Sequence, residues 1–157
     1  MKVTFLVIGK TDQKYLQEGI KIFEKRLGHY LPYEMKIIPD IKNNRKLSES
    51  QQKEKEGELI LQQVQNSDTV VLMDERGENF DSIGFSKYLE KKMVMGTRNL
   101  IFVIGGPYGF SDKVYDRANG KISLSRMTFS HQMVRLIFVE QLYRAMTILK
   151  NEPYHHQ

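Results

Sequence analysis

The stretch NLIFVIGGPYGFSDKVYDRANGKISLSRMTFSHQMVR, residues 99–135, decides how the rest of the chain is read. It opens with an unbroken apolar run from Leu100 to Ile104. Such a run, of strand length and without alternation, is the pattern of a strand buried on both faces. It stops at Gly105-Gly106-Pro107-Tyr108-Gly109. Glycine lets the main chain turn sharply and lets a ligand approach it closely. In open parallel α/β sheets, ligands bind outside the carboxyl ends of the strands. The turn is therefore a candidate small-molecule site, with a plain strand-ending turn as the alternative. Neither the G-x-G-x-x-G dinucleotide fingerprint nor the G-x-x-x-x-G-K-[ST] phosphate loop is present.

The second half of the stretch strengthens the ligand reading. Lys121 to Leu124 has the composition of a short strand, and Ser125 to His131 follows with no glycine or proline to explain a loop. A helix then runs from Gln132 to Lys150. Two strand ends with open loops, this close in sequence, predict the two walls of one pocket.

Working outward, the 157 residues suffice for one domain with a real core, so a single domain over residues 1–157 is expected. Hydrophobic residues make up 40% of the chain, which sets it among folded rather than disordered proteins. The absence of cysteine excludes disulfides, thiolate zinc sites and thiol nucleophiles together. No stretch approaches the roughly 20 apolar residues that span a bilayer, so no membrane partner is expected. The opening MKVTFLVIGK lacks a small-residue cleavage site and reads as a first strand, with a cytoplasmic location as the default. A net charge of +5 favours a polyanionic partner without demanding one.

Val3–Ile8 is a buried strand, and Thr11 or Asp12 is placed to cap the helix from Gln13 to about Gly28. Tyr33–Ile38 is a second strand, ended by Pro39. Lys42, Asn43, Asn44, Arg45 and Lys46 form a basic loop, either a flexible surface segment or an RNA contact. Ser48 and Gln51 suit a capping box for the helix Glu49–Asn66. Gly57 within that helix costs about 1 kcal/mol relative to alanine, unless close packing offsets it. Thr69–Met73 is a third strand, and Asp74-Glu75-Arg76-Gly77 after it reads as a structural turn or a ribose-binding loop. Asp81 caps a helix from Ser82 to Met95, which Gly96 ends. The order β-α-β-α-β-α-β-(α)-β-α predicts a parallel α/β sheet with helices on both faces. The helix from Gln132 to Lys150 is apolar nearly all round, which requires burial on two sides. A subunit interface is one source of the second side; deep burial within the domain is the other.

Several blocks carry a family resemblance together: LMDERG (72–77), FVIGGPYGF (102–110), ISLSRMTFSHQMVR (122–135), EQLYRA (140–145) and NEPYHH (151–156). In order, and over the whole chain, they resemble the small bacterial SPOUT-class methyltransferases that act on 23S ribosomal RNA. The resemblance implies a parallel α/β fold whose C-terminal segment passes through a deep trefoil knot. It implies S-adenosylmethionine as cofactor, held by Leu72 with its neighbours, by Gly105 and Gly106, and by Leu124, Ser125, Arg126, Met127, Thr128 and Phe129. It implies a homodimer, 23S rRNA within the ribosome as partner, and N3 of a pseudouridine in helix 69 as the methyl acceptor.

An imide nitrogen is a poor nucleophile while protonated, so a base or a stabilising cation should help. Candidates are His131, Arg135, Arg144, Tyr154, His155 and His156, of which His131, Arg144, Tyr154 and His155 are taken as the catalytic set. Each has a plainer alternative. His131 suits a helix cap, and Glu140 with Arg144 forms an ordinary i,i+4 pair. Tyr154 has the ring to stack on a base, and the resemblance sets this tail at the cofactor pocket. The chain has four histidines and no cysteine, so no metal site is expected. Two other classes stay open. A non-catalytic RNA-binding module of the same fold binds RNA without turnover. A nucleotide-binding oxidoreductase needs the fingerprint that is missing here.

Overall fold

The computed structural model describes residues 1–42 and 44–156; Asn43 of the basic loop and the terminal Gln157 lie outside the described residues. The strands are β1 (Lys2–Ile8), β2 (Tyr33–Ile38), β3 (Thr69–Asn79), β4 (Asn99–Ile104) and β5 (Gly120–Ser123). The helices are α1 (Lys14–Leu27), α2 (Glu49–Gln62), α3 (Ser82–Val94), α4 (Asp112–Arg117) and α5 (Met133–Leu149), with a short 3-10 turn at Asn44–Lys46. All strand pairs are parallel, in the order β2-β1-β4-β3-β5. The apolar run of β4 thus lies at the centre of the sheet, which is why it shows no alternation.

Alternate side chains of the central strands feed two cores. Val3, Phe5, Leu100 and Phe102 pack with α1, α3 and α5. Leu6, Ile101, Val103 and Leu72 pack with Ile60 of α2 and Val114 of α4. Phe138 of α5 anchors the first core, its ring 4.6 Å from Phe5 and 4.9 Å from Phe102. Helices therefore cover both faces, as the element order requires.

Local signals behave unevenly. Ser48 and Gln51 form the full capping box, and Asp81 accepts the Gly84 amide at 2.6 Å. Gly96 follows α3 with φ +79°, a conformation glycine reaches without strain. Gly57 packs directly on Ser111, the N-cap of α4, and a Cβ there would collide with its hydroxyl. The expected cap of α1 is corrected: the N-cap is Gln13, and no side chain caps it. The Thr11 hydroxyl instead accepts Arg135 Nη1 at 3.1 Å, and the Asp12 amide donates to Gln132 at 2.9 Å. Tertiary contacts with the start of α5 have claimed both residues.

The expected end of β3 is also corrected. The strand runs on to Asn79, and Ile122 of β5 pairs with both Met73 and Glu78. Residues 74–77 form an excursion between those two pairings, held by the Arg76 amide donating to Asp74 Oδ1 at 2.8 Å. Gly77 lies so close to the Ile122 main chain that no side chain would fit. No helix among the described residues is long and apolar enough to cross a membrane.

Candidate active site

The carboxyl ends of β3, β4 and β5 open into one cleft. Its larger hollow, about 620 Å³, lies between the Asp74–Arg76 excursion and the Gly105–Phe110 turn. The adjoining hollow, about 160 Å³, is walled by the whole of Ser123–Phe129 and floored by Met73, Ile104 and Ile122. Gly105, Gly106, Leu124, Ser125, Arg126, Met127, Thr128 and Phe129 therefore all line the cleft. The two loops singled out from sequence do form two walls of one pocket.

Leu72 does not line it. Its side chain is fully buried in the core against α2 and α4, because it points away from the cleft at its register position on β3. The next residues, Met73 and Asp74, face the cleft in its place. Ile104, the last residue of β4, and Ile122, one residue before the end of β5, were missed from sequence, whereas Met73 falls among the neighbours of Leu72 that the resemblance indicated. The Lys53 contribution from α2 carried no signal at all.

The loop wall is held by its own polar groups. Ser125 Oγ accepts the Met127 amide at 2.9 Å, and Ser123 Oγ donates to the Ser125 carbonyl at 3.0 Å. Across the cleft, the Tyr115 hydroxyl donates to Asp74 Oδ2. Burial and that carboxylate push the Tyr115 phenol up to about 12, so it remains a donor at neutral pH. Tyr108 stands exposed at the tip of the glycine turn, which Gly109 closes with φ +81°.

Among the four expected catalytic residues, His131 alone lines the cleft. Burial of its ring, and then the Arg135 charge, hold its pKa below the usual 6.5, so the ring is neutral at pH 7. Arg135 itself is buried and spends its donors on the carbonyls of His131, Ile8 and Gly9 and on the Thr11 hydroxyl. It ties the start of α5 to the end of β1.

Arg144, Tyr154 and His155 are elsewhere. They gather about 20 Å along α5 from His131, at the 1.5 Å rise of a helix. Arg144 pairs with Glu140 at 2.6 Å, and the Tyr154 hydroxyl donates to the same Glu140 oxygen at 3.0 Å. Arg144 Nη1 donates to His155 Nδ1 at 3.1 Å, which places the ring proton on Nε2. That Nε2 is buried without a hydrogen-bond partner among the described residues. The tail is pinned by Tyr30, whose hydroxyl donates to Glu152 at 2.5 Å, and by Tyr154 stacked edge-on against Tyr143 at 4.7 Å. The expectation that the tail lies at the cofactor pocket is thus corrected for a single chain: Pro153 turns it back along the α5 surface. His156 is exposed. Among the described residues no group of three or more His, Asp or Glu converges as a metal site would require.

Residues 1–155 match the family model described as "Predicted SPOUT methyltransferase". The chain belongs to the SPOUT methyltransferase family. Within it, the chain is 64% identical over its full length, and the relative's, to "Ribosomal RNA large subunit methyltransferase H" of Christiangramia forsetii. The proteins of that name from Parabacteroides distasonis and Flavobacterium johnsoniae are 63% and 60% identical, again over all of both chains. The crystal structure of the SpoU methyltransferase AviRb from Streptomyces viridochromogenes with AdoMet covers 96% of this chain and 61% of its own, at 12% identity and a TM-score of 0.43.

Proposed function

We propose that this chain transfers the methyl group of S-adenosylmethionine to N3 of a pseudouridine in helix 69 of 23S rRNA, on the assembled ribosome and as a homodimer. The observation that carries the reading is the cleft built from Ser123–Phe129 on one side and the Gly105–Phe110 turn on the other. Its relatives' shared name supplies the substrate class.

The residues present fit the cofactor. Met73, Ile104, Ile122, Leu124, Phe129 and Val134 give an apolar slot of the kind a purine ring fills. Asp74 and Glu75 stand on its rim, where carboxylates favour a cation. S-adenosylmethionine would supply a methyl group on a cationic sulfur. Ser125–Phe129 and Gly105–Gly106 would hold it, the glycine turn through its main chain. The chain's own task is then alignment and management of the imide proton. His131, neutral at pH 7, is able to accept that proton from its position in the cleft.

Arg144, Tyr154 and His155 reach a cleft only from a second subunit. The outer side chains of α5, Ile137 and Ile148 among them, are half-buried in one chain and available to a partner copy. The same reading includes the knot. β5 lies at the sheet edge beside β3, while α5 starts against the end of β1, so residues 124–132 must cross the ends of β3 and β4. An experimental backbone trace that leaves residues 120–135 outside the 74–98 loop would rule the knot out.

The deciding experiment is calorimetric titration of S-adenosylmethionine into the wild type and a Gly105→Val variant, followed by methyl incorporation into ribosomes and into a naked rRNA fragment. Binding that the variant loses, with transfer to ribosomes only, is the expected result. Equal methylation of both RNAs would remove the ribosome requirement. Absence of wild-type binding, with RNA affinity retained, would favour a non-catalytic RNA-binding module.

A further inference from the structure

Behind the glycine turn, on the side away from the cofactor cleft, α2 carries one carboxyl that the fold does not need. Glu56 is 3% exposed. Gln52 Nε2 donates to its Oε1 at 3.1 Å, while Oε2 is buried with no hydrogen-bond partner among the described residues. The Gly106 main chain packs against it, and a Cβ on Gly106 would fall inside the carboxylate. The turn has little internal support: a single bond from the Gly109 amide to the Gly106 carbonyl, 3.2 Å, closes it. Beyond Glu56 a hollow of about 230 Å³ separates the turn from Arg135 and His131. The carboxylate is therefore what the turn rests on from beneath.

We propose that Glu56 is a positioning residue for the cofactor turn: its buried carboxylate, packed under Gly106, fixes the main chain of Gly105–Pro107 in its binding shape. The inference rests on the cofactor reading above. A leucine would fill this space at no electrostatic cost, so retaining a charge here points to a role outside stability. Burial raises the Glu56 pKa above 4.5, the Gln52 bond opposes it, Asp40 adds to the rise, and the Gly106 amide favours the ionised form. The charged groups facing Glu56 from its surroundings are Asp40 after β2, and His131 and Arg135 from α5.

The sign of the stability effect separates positioning from mere structure. A carboxyl whose native pKa lies above its unfolded value holds protons more tightly when folded, so ionising it at neutral pH removes stability. Glu56→Gln should therefore melt at or above the wild-type temperature at pH 7, with the difference fading as pH falls through the native pKa towards 4.5. The same variant should bind S-adenosylmethionine about tenfold more weakly, as the Gly105–Pro107 main chain loses the support that holds its binding shape. Wild-type affinity should drop as pH falls through the Glu56 titration, and the variant should lack that drop. Any contribution from His131 titration appears in both curves. Gln52→Leu removes the bond that lowers the Glu56 pKa, so it should move the wild-type drop to higher pH.

Calorimetric titration with S-adenosylmethionine from pH 4 to 8, beside thermal melts, reads all of these. Wild-type binding with Glu56→Gln matching it at every pH overturns this inference alone. Weaker binding accompanied by a lower melting temperature at pH 7 overturns it too, in favour of a structural role. A wild type that binds at no pH overturns the cofactor reading itself.

Discussion

At the N-terminal end of α5 the cleft is walled by backbone turns, the Ser123–Phe129 loop and the Gly105–Gly106 turn, over a floor of apolar side chains from three strands. At the other end of the same helix, Glu140, Arg144, Tyr154 and His155 form a cluster made wholly of side chains. The first is closed and walled within one chain. The second is bonded internally through Glu140 and Arg144, leaves His155 Nε2 without a partner among the described residues, and lies away from that cleft. A main-chain site needs a fixed backbone and tolerates many side chains, whereas a side-chain cluster needs particular residues but travels on any rigid helix. In the proposed homodimer the two ends would be joined across subunits, with binding at one end and chemistry assisted from the partner's other end.

The largest expected effect falls on the main-chain end. Gly105→Val would press on the Phe110 ring, already 3.0 Å from where a Cβ would sit. S-adenosylmethionine affinity should fall by roughly 100-fold or more, the scale of a displaced binding element. Circular dichroism and the oligomeric state should stay as in the wild type. Loss of the dimer in this variant would mean that the two ends are not separable.

Arg144→Ala should do the reverse. Transfer to ribosomes should drop by roughly 100-fold, as expected for a lost transition-state cation, with calorimetric cofactor affinity unchanged. Mixing it with Gly105→Val protomers should restore transfer that neither variant shows alone. Failure of the mixture to recover would confine each cluster to its own chain and break the comparison.

The pH profile tests which end supplies the base. Because His131 titrates below 6.5, the rate at saturating ribosomes should hold from pH 8 down to that region and decline beneath it. His131→Gln should remove that limb; a decline that survives the substitution assigns the base to the tail cluster.

The smallest effect is structural. Gly57→Ala gains helix propensity yet drives a Cβ into Ser111, so it should cost about 1–3 kcal/mol in a denaturant melt. Ser111→Gly in the same chain should recover most of it. A stabilised single variant would show that the α2–α4 contact beneath the cleft is loose.

Much of this was legible in the residues. The apolar run of β4, the capping box at Ser48 and the Gly96 stop are local patterns, and each appears where the spacing put it. The cleft walls were legible because a glycine turn, itself open to a plainer reading, was joined by a second loop directly after a nearby strand. The α1 cap failed because residues distant in sequence, Arg135 and Gln132, took the oxygen and amide that local rules assign to the helix start. Leu72 failed because period-two alternation sends adjacent strand residues to opposite faces, and only the sheet register says which face holds the cleft.

By itself, then, the sequence determined the alternation of strands and helices, the parallel sheet and the two loops that wall the cleft, since all of these rest on hydrophobic period and turn chemistry within short windows. Only the tertiary structure decided that β4 sits between β1 and β3, and that Asp74–Gly77 bulges over the cleft rim. It alone set Glu56 beneath Gly106 and folded Tyr154 and His155 back onto Glu140 and Arg144. Those outcomes depend on which distant surfaces bury each other, a choice made by packing over the whole core and written in no single stretch of chain.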